Sequence, residues 1–352
     1  MNDTIRVELL RLQEELRRRG LYRPATARIL AEWVYHLTLT SALAGWWLFE
    51  PLGLRLAALL VSTLGMLGIS TAAHTAAHGA ALPWRRANAA LAYLGYPFML
   101  MVSAHYWRHK HNVVHHPNPN VIGIDADCDL MPFFAMNESE IASARPLRRF
   151  YYRRLQGWVF PLAVTLNGFN VQRVSWAYLL RRLRAEPGSP ALWLDLGVLL
   201  AHVAVWIVLP CALVSVGDGL LLYFLRIALL GHAMFCAFAP AHFPAEAEFI
   251  DAAAADGDFV MRQTQTTVNF RTGRIGALAC NGVEYQIEHH LFPGLCHVYY
   301  PAVAPVVRAF CETHGYPYRT VSWRDGILKS YAALFHPRPI VRMAAPSRPT
   351  VA

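Results

Sequence analysis

Long apolar runs constrain the fold of this chain more than any other feature of its sequence. A helix needs roughly 20 predominantly apolar residues to cross the hydrocarbon core of a bilayer, and four runs approach that length. They cover residues 33–49, 56–73, 191–214 and 219–240. A short turn separates the first run from the second, and another separates the third from the fourth. The runs therefore predict two transmembrane helical hairpins. With 55% hydrophobic and 16% charged residues, the chain is predicted to be an all-α integral membrane protein.

The distribution of basic residues predicts how these spans are oriented. Arginine and lysine flank the hairpins, whereas the short turns within them hold only Arg55. Cytoplasmic loops of membrane proteins carry the excess of basic residues, so both termini and the polar connections are predicted to be cytoplasmic. The net charge of +9 is accounted for by this topology. Because no nucleic-acid-binding module is recognisable, no nucleic-acid partner is expected.

The segments outside the four runs complete the predicted architecture. Residues 1–30 predict an amphipathic basic helix that lies on the cytoplasmic membrane surface or packs on the rest of the chain. Residues 87–104 and 155–171 predict interfacial or half-inserted helices. We therefore expect a membrane domain over residues 31–320, with a histidine-rich cytoplasmic cap, and a C-terminal tail over residues 321–352.

Some polar side chains in or near the spans have structural interpretations. Arg226 lies about two turns from the non-cytoplasmic end of its span and is expected to anchor at the interface. His232 is expected to hydrogen-bond to a neighbouring helix. Asp125, Asp127 and Asp129 alternate as in a calcium-binding loop, but the glycine and the distal glutamate of such a loop are missing. These aspartates are therefore expected to lie in a solvated cytoplasmic loop.

Histidine is the unusual residue type, because most of the 16 histidines fall in short clusters on the predicted cytoplasmic side. His74 and His78 are four residues apart, which stacks both imidazoles on one helix face. His111 and His115 have the same spacing, and the adjacent His116 points about 100° away. The second cluster can therefore bridge two metal ions instead of encircling one.

Three further histidines join this set later in the chain. His242 follows the last apolar run directly, and His289 and His290 lie some fifty residues beyond that run. Imidazole ligands without cysteine suit iron, copper or zinc, and their number exceeds the four ligands of a structural zinc site. The surplus favours two metals, and redox-capable metals beside a membrane suggest oxygen chemistry on a lipid-soluble substrate. Iron is favoured, with zinc and copper left open.

The sequence motifs around these histidines resemble the three histidine boxes of the membrane fatty acid desaturase family. They are HxxxH at 74–78, WRxKHNxxHH at 107–116 and NGxxYQIEHHLFP at 281–293. The order, the approximate spacing and the hydropathy also match, over roughly residues 30 to 320. Gln286 stands where other members have the first histidine of the third box, which resembles the front-end branch of the family.

This resemblance implies O2-dependent desaturation of a fatty acyl chain by a non-haem diiron centre at the cytoplasmic membrane face. The implied iron ligands are His74, His78, His111, His115, His116, His242, His289 and His290. Gln286 is implied to ligate weakly, to bind through water or to hold a neighbouring imidazole. His105, His109 and Asn112 are implied to be additional ligands or to support the site, and support is favoured for the two histidines.

Two departures from the family pattern affect these expectations. Thr75 occupies a position where the family commonly has Asp, which removes an expected hydrogen-bond partner of an imidazole. The front-end resemblance also comes without an HPGG haem-binding segment, so no fused cytochrome b5 is expected. The electron donor is then a separate ferredoxin or cytochrome b5-type protein. The acyl substrate is linked to lipid, CoA or carrier protein, and membrane lipids surround the enzyme.

Two other functions remain open at this stage. A hydroxylase on the same diiron scaffold would return oxygen to the substrate carbon instead of removing a second hydrogen. A membrane protein that binds metal or haem without oxygenase activity is disfavoured, because haem needs histidines paired at membrane depth and most of these lie beyond the span ends.

Overall fold

The structure is a computed structural model that describes residues 3–252 and 257–341, and most of this part of the chain is helical. The helices of the first half are α1 (Asp3–Arg18), α2 (Thr26–Ser41), α3 (Gly45–Leu48), α4 (Leu52–Ala77), α5 (Arg85–Tyr93), α6 (Ala104–Arg108), α7 (Glu138–Ser143), α8 (Pro146–Arg154) and α9 (Gln156–Ala185). Those of the second half are α10 (Pro190–Val203), α11 (Leu209–Leu213), α12 (Val216–His242), α13 (Phe259–Thr266), α14 (Arg274–Cys280), α15 (Gln286–Leu291), α16 (Tyr300–His314) and α17 (Trp323–Ala332). The predicted division at residues 30 and 320 stays a prediction, and residues 342–352 of the predicted tail lie outside the described residues.

Three of the four apolar runs form helices long and apolar enough to cross a membrane. They are α4, the continuous helical stretch Pro190–Leu213, and α12. The first run, in contrast, is divided into α2, a 3-10 turn over Ala42–Ala44 and α3. It packs along α4, as a hairpin partner should, but its predicted role as a fourth span stays a prediction.

A sharply bent pair of helical segments lies between the two hairpins. Arg85–Leu100 and Ala104–His115 meet at 111°, as in a broken span or a re-entrant loop. The backbone of Met101 is left-handed at the break, and Ser103 caps the second segment by accepting from the Tyr106 N–H. This bend contains the predicted half-inserted segment 87–104, and it directs the second histidine cluster back towards α4.

Helices α1 and α13–α16 form a cap over the histidine-bearing end of the bundle. Leu12 and Leu16 of α1 are buried against α15 and α16, beside Leu291 and Val303. The amphipathic N-terminal helix therefore packs on its own chain, which was one of its two predicted placements. Helix α9 spans 30 residues, so the predicted interfacial segment 155–171 is the first half of a longer helix.

Four short strands modify the all-α prediction without changing the class of the fold. Strand β1 (Val121–Ile122) pairs in parallel with β2 (Ile250–Asp251), and β3 (Asn269–Arg271) pairs in parallel with β4 (Thr320–Ser322). Each pair joins segments far apart in the sequence. The two pairs therefore tie the loops that follow α12 to the loop after the second histidine cluster and to the C-terminal part of the cap.

Of the two predictions for polar residues within α12, one was wrong and one is confirmed. Arg226 is only 1% exposed, and its guanidinium donates to the Met99 carbonyl at 2.7 Å. The prediction of an interface anchor was therefore wrong, because the side chain turns into the bundle instead of towards its end. His232 lies 2.9 Å from the Thr165 hydroxyl of α9, which confirms the predicted contact with a neighbouring helix.

Candidate metal centre

The first histidine pair sits where α4 ends. His74 is buried in the last turn of this helix and His78 is the residue that caps it. Their ring centroids are 5.1 Å apart, as expected for a spacing of four residues on one face. Gly79 follows with a positive φ of 74°, a conformation that terminates helices readily in glycine. The chain can therefore turn away directly after the second imidazole.

The second cluster lies on a π-helix over His109–His115, and this changes how its histidines pair. In a π-helix the backbone bonds from residue i+5 to residue i, and the His116 N–H accordingly donates to the His111 carbonyl. The Nε2 atoms of these two residues are 3.1 Å apart. His111 and His115 share a face as predicted, with stacked rings whose centroids are 5.2 Å apart, and the π-helix brings His116 into contact with His111 as well.

Helix α15 carries the third histidine cluster, and its own buried Glu288 ties it to neighbouring segments. Glu288 accepts hydrogen bonds from Asn269 of β3 at 2.8 Å and from the Tyr318 hydroxyl at 2.6 Å. Just before the helix, Asn281 and Gly282 both have positive φ. A Cβ at Gly282 would lie 2.4 Å from the His297 Cβ, so glycine is needed for this close turn. These contacts fix the direction in which His289 and His290 point.

All eight predicted ligand histidines converge in two adjacent groups. Within each group, one ligand atom per residue lies within 4.8 Å of all the others. The first group, group A, consists of His74, His78, His111, His116 and His289. The second, group B, consists of His115, His242 and His290. The groups are in contact, because the rings of His116 and His290 are stacked with centroids 4.5 Å apart.

Several ring nitrogens in these groups are held by hydrogen bonds from outside. His290 Nδ1 lies 2.9 Å from the Gln263 Oε1 atom, whose amide nitrogen donates to the His116 carbonyl. His289 Nδ1 lies 3.1 Å from the Tyr300 hydroxyl. Such partners fix the tautomer and the ring orientation of a metal-binding histidine. Gln263 and Tyr300 were not identified from the sequence, because neither residue lies in a histidine motif.

Asp125 supports group B, so the prediction of a solvated loop was wrong for this residue. Its carboxylate is 1% exposed and accepts from His115 Nδ1 at 2.9 Å and from the backbone N–H of Asn120 at 2.9 Å. Burial by itself would raise the pKa of this carboxyl, but the neighbouring His115 and these hydrogen bonds hold the pKa below its usual value. Asp127 lies near the same imidazole and bonds to Lys110.

The surroundings of most histidines in groups A and B disfavour the charged imidazole. Burial, followed by repulsion from neighbouring imidazoles, lowers the pKa of His116, His289 and His290 well below the ordinary value. The same causes lower the pKa of His78 to about 3. Neutral imidazoles are the form that binds metal ions, so these four histidines have metal-binding lone pairs at physiological pH. Burial alone would also lower the pKa of His115, but the adjacent Asp125 carboxylate raises it above the ordinary value.

Ring nitrogens without a partner test whether the residues fit a metal. Within the described part of the chain, Nε2 of His78, His289 and His290 is buried and has no hydrogen-bond partner. In His289 and His290 the opposite nitrogen is occupied by Tyr300 and Gln263. Buried polar atoms are ordinarily satisfied. Free nitrogens that face other histidines are therefore the arrangement expected of metal ligands, and the two groups fit a pair of ions.

The supporting residues named from the sequence lie outside both groups. His105 Nδ1 is 2.9 Å from the buried carboxylate of Asp195, and His109 stacks on Tyr178. Asn112 donates to the Ala77 carbonyl at 3.4 Å, which ties the second cluster to the end of α4. The side-chain oxygens of Asn112 and Gln286 are buried without a partner in the described structure. The role of Gln286 stays a prediction.

Thr75, at the position where the family commonly has Asp, is the first member of a buried chain of three side chains. The Thr75 hydroxyl lies 2.9 Å from His297 Nδ1, and His297 Nε2 lies 2.9 Å from a carboxylate oxygen of Glu32. Thr75 thus contacts an imidazole that binds no metal in this arrangement. His297 lies outside the histidine clusters, so no sequence pattern indicates its contact with Thr75.

Known proteins resemble this chain in sequence over most of the membrane part. The sequence profile described as fatty acid desaturase matches residues 45–322. The sn-1 linoleoyl-lipid 6-desaturase of Arthrospira platensis is 29% identical, over 62% of this chain and 60% of that protein. The Delta(8)-fatty-acid desaturase of Euglena gracilis is 30% identical, over 65% of this chain and 55% of that protein.

A human relative extends the same pattern. Fatty acid desaturase 3 of Homo sapiens is 28% identical over 61% of this chain, a match that covers 46% of the human protein. The chain therefore spans about half to three fifths of the length of these three relatives. The family profile, in contrast, covers residues 45–322 of the 352, which include every histidine of groups A and B. The chain belongs to the fatty acid desaturase family.

Proposed function

We propose that this protein desaturates a fatty acyl chain in an O2-dependent reaction at two iron ions held by groups A and B. The observation that carries the proposal is the meeting of eight histidines, from four separate chain segments, in two adjacent groups. The family implies iron, and imidazole-rich sites suit that metal. Iron with O2 supplies the oxidising power that unactivated methylene groups require.

The roles of the residues follow from their positions. His74, His78, His111, His116 and His289 would hold one iron, and His115, His242 and His290 the other. Asp125 and Gln263 would keep two of these imidazoles in the tautomer that leaves the ligating nitrogen free. The cap formed by α1 and α13–α16 covers the histidines, and this cover would keep water away from the reacting carbons.

The overall reaction balances with an external reductant. Two neighbouring methylenes each lose one hydrogen, and O2 takes up these two hydrogens together with two electrons and two protons to give two waters. The products are one carbon–carbon double bond and water. The electrons would come from a separate ferredoxin or cytochrome b5-type protein that docks on the cytoplasmic face, where we place the histidines and both termini.

The names of the relatives support a position near the carboxyl end for the new double bond. They are named as 6-, Δ8- and Δ5-desaturases, and the name of the 6-desaturase specifies a linoleoyl-lipid. We therefore propose a front-end desaturation of an acyl chain that is linked to a membrane lipid, with CoA and carrier-protein thioesters as the other possible substrates.

The test is lipid analysis by gas chromatography and mass spectrometry of cells that express the chain together with a ferredoxin and its reductase. A matched culture carries the His115→Ala variant. We expect a new unsaturated acyl chain only with the unaltered protein, and the fragmentation pattern locates its double bond. A hydroxylated product would show that the protein is a hydroxylase on the same scaffold and not a desaturase. The proposal would be contradicted if the lipid profile stayed unchanged although the protein was shown to contain iron and to be reduced by the ferredoxin.

A further inference from the structure

The buried guanidinium of Arg226 is incompletely paired. Nη2 donates to the Met99 carbonyl, and Nε lies 3.0 Å from the Met66 sulfur. The guanidinium carbon lies 4.1 Å from the centroid of the Trp206 ring. Nη1, however, is buried without a hydrogen-bond partner in the described structure, and none of the carboxylates there forms an ion pair with Arg226.

This arrangement leaves a positive charge without a counter-ion inside the helix bundle. Contact with an aromatic ring partly stabilises a desolvated cation, but an isolated charge in a low-dielectric interior costs more free energy than this contact supplies. Arginine stays protonated in proteins, so neutralisation by loss of a proton is not available. A charged residue within a membrane segment that has no partner of opposite charge among the described residues points to a ligand of opposite charge.

A cavity adjoins Arg226 on the side opposite the metal centre. Its volume is about 330 Å³, and its walls are almost wholly apolar. They include Thr40, Leu43, Trp206, Leu213, Leu222 and Arg226. At its mouth, Leu209 and Leu213 are largely exposed on the outer surface of the bundle. The cavity therefore opens where lipid chains would contact the protein and ends at a cation.

The cavity is separate from the histidine groups. Arg226 and His242 lie on the same helix, 16 residues apart in the sequence, which corresponds to about 24 Å along the axis. None of the eight histidines lines the cavity. A molecule bound beside Arg226 is therefore not positioned to react at the metal centre.

We propose that this cavity binds an acyl lipid by its oxyanion. The carboxylate or phosphate oxygen would accept from the guanidinium of Arg226, which lines the cavity, and the acyl chain would lie along the apolar walls towards the mouth between α3 and α11. Arginine donors suit both kinds of oxyanion. The two sources of this chemistry are an unesterified fatty acid and an anionic phospholipid. The proposal does not depend on the desaturase activity.

The experiment uses the purified full-length protein in detergent and a long-chain fatty acid that carries a photoreactive diazirine. The corresponding long-chain alcohol, with the same diazirine, is the uncharged control probe. Labelled peptides are identified by mass spectrometry. The variants are Arg226→Met, which removes the cation, and Val205→Phe, which narrows the cavity and keeps the cation. Val208→Phe is the matched control, because Val208 lies one turn away and outside the cavity lining.

We expect the acid probe to label the segment from 205 to 226, and the alcohol probe to label it at least about tenfold less. Arg226→Met and Val205→Phe should each reduce the labelling by a similar factor, whereas Val208→Phe should leave it unchanged. Competition identifies the source: displacement by oleate alone indicates a fatty acid, and displacement by phosphatidylglycerol but not by phosphatidylcholine indicates an anionic phospholipid.

Other outcomes would overturn the proposal. Equal labelling by acid and alcohol, or labelling that survives Arg226→Met, would show that the cation does not recognise the lipid. Absence of labelling in this segment would leave Arg226 as a residue that stabilises the helix packing only. If Arg226→Met does not fold, Val205→Phe decides, because retained labelling in that variant also contradicts the proposed site.

Discussion

Nδ1 of His115 lies 2.9 Å from the carboxylate of Asp125, ten residues further along the chain. The same carboxylate accepts from the backbone N–H groups of Asn120 and Asp127, so its position is fixed by three donors. His115 belongs to group B, which has only three histidines. An error in the orientation of this one imidazole would therefore affect a third of the protein ligands of that ion.

The first prediction concerns this contact. We expect Asp125→Asn to lower the affinity of group B for iron by about 10- to 100-fold, because the amide can neither hold the imidazole tautomer nor stabilise it electrostatically. Iron retained after exposure to a graded series of chelator concentrations measures the effect. Asp129→Asn is the control, since within the described residues the Asp129 carboxylate accepts only from the exposed Met131 N–H. Equal iron retention in both variants would refute the supporting role of Asp125.

The second prediction separates ligands from neighbouring histidines. His289→Ala should abolish desaturation and release about one of the two irons, because group A loses a ligand from its interior. His105→Ala should keep both irons, since that imidazole bonds to Asp195 and faces away from the groups. Elemental analysis of the purified variants gives the iron content. Full iron occupancy in the His289→Ala protein would rule out the assigned ligand set.

The third prediction is a pH dependence of stability. Burial raises the pKa of Glu284 from 4.5 to about 7, so the folded protein favours the protonated carboxyl. The resulting stabilisation is complete below about pH 4.5 and is lost as the pH rises through about 7. Relative to the wild type, Glu284→Gln should therefore be more stable at pH 8 by up to about 3 kcal/mol, and should gain little at pH 4.5.

Thermal unfolding in detergent at these two pH values measures the difference. Glu138→Gln is a suitable control, because that glutamate is exposed at the start of α7. A gain in stability for Glu284→Gln that is the same at both pH values would mean that the buried carboxyl does not titrate in this range.

The fourth prediction tests the packing of the first hairpin. A Cβ at Gly65 would lie 2.4 Å from the backbone nitrogen of Thr40 on α2, and backbone atoms cannot move aside as a side-chain end can. Gly65→Ala should therefore destabilise the protein by about 1–3 kcal/mol. The unfolding midpoint in detergent is the measurement. Gly53→Ala, where the added methyl meets open space, should unfold like the wild type.

Much of this architecture could be predicted because hydropathy and helical spacing are local properties. The runs 56–73, 191–214 and 219–240 correspond to the helical stretches Leu52–Ala77, Pro190–Leu213 and Val216–His242. The eight histidines were identified by spacing and by family resemblance, and the structure brings them together. The break in the run 33–49 was not foreseen, since its residues Ala42–Ala44 are as apolar as the helix around them.

The features that the sequence analysis did not predict have two physical origins, a local change of helix type and contacts between distant segments. In a π-helix each backbone hydrogen bond spans five residues instead of the four of an α-helix. No residue type in 109–115 requires this spacing, so the sequence does not predict the contact between His116 and His111. Asp125 reads as a loop residue because its partners are set by the left-handed backbone of Asn120 and by the fold of the second cluster. His297 meets Thr75 across 222 positions, a distance that sequence patterns do not bridge.

The division of the two histidine groups over the chain has a consequence for biosynthesis. Each group takes one member from α15, His289 in one case and His290 in the other. Neither group is complete until the ribosome has translated past residue 290, when α4 and α12 have already been synthesised. Metal capture would thus report that translation has passed α15. A prematurely terminated product that ends after α12 would lack a ligand in both groups, which distinguishes it chemically from the mature enzyme.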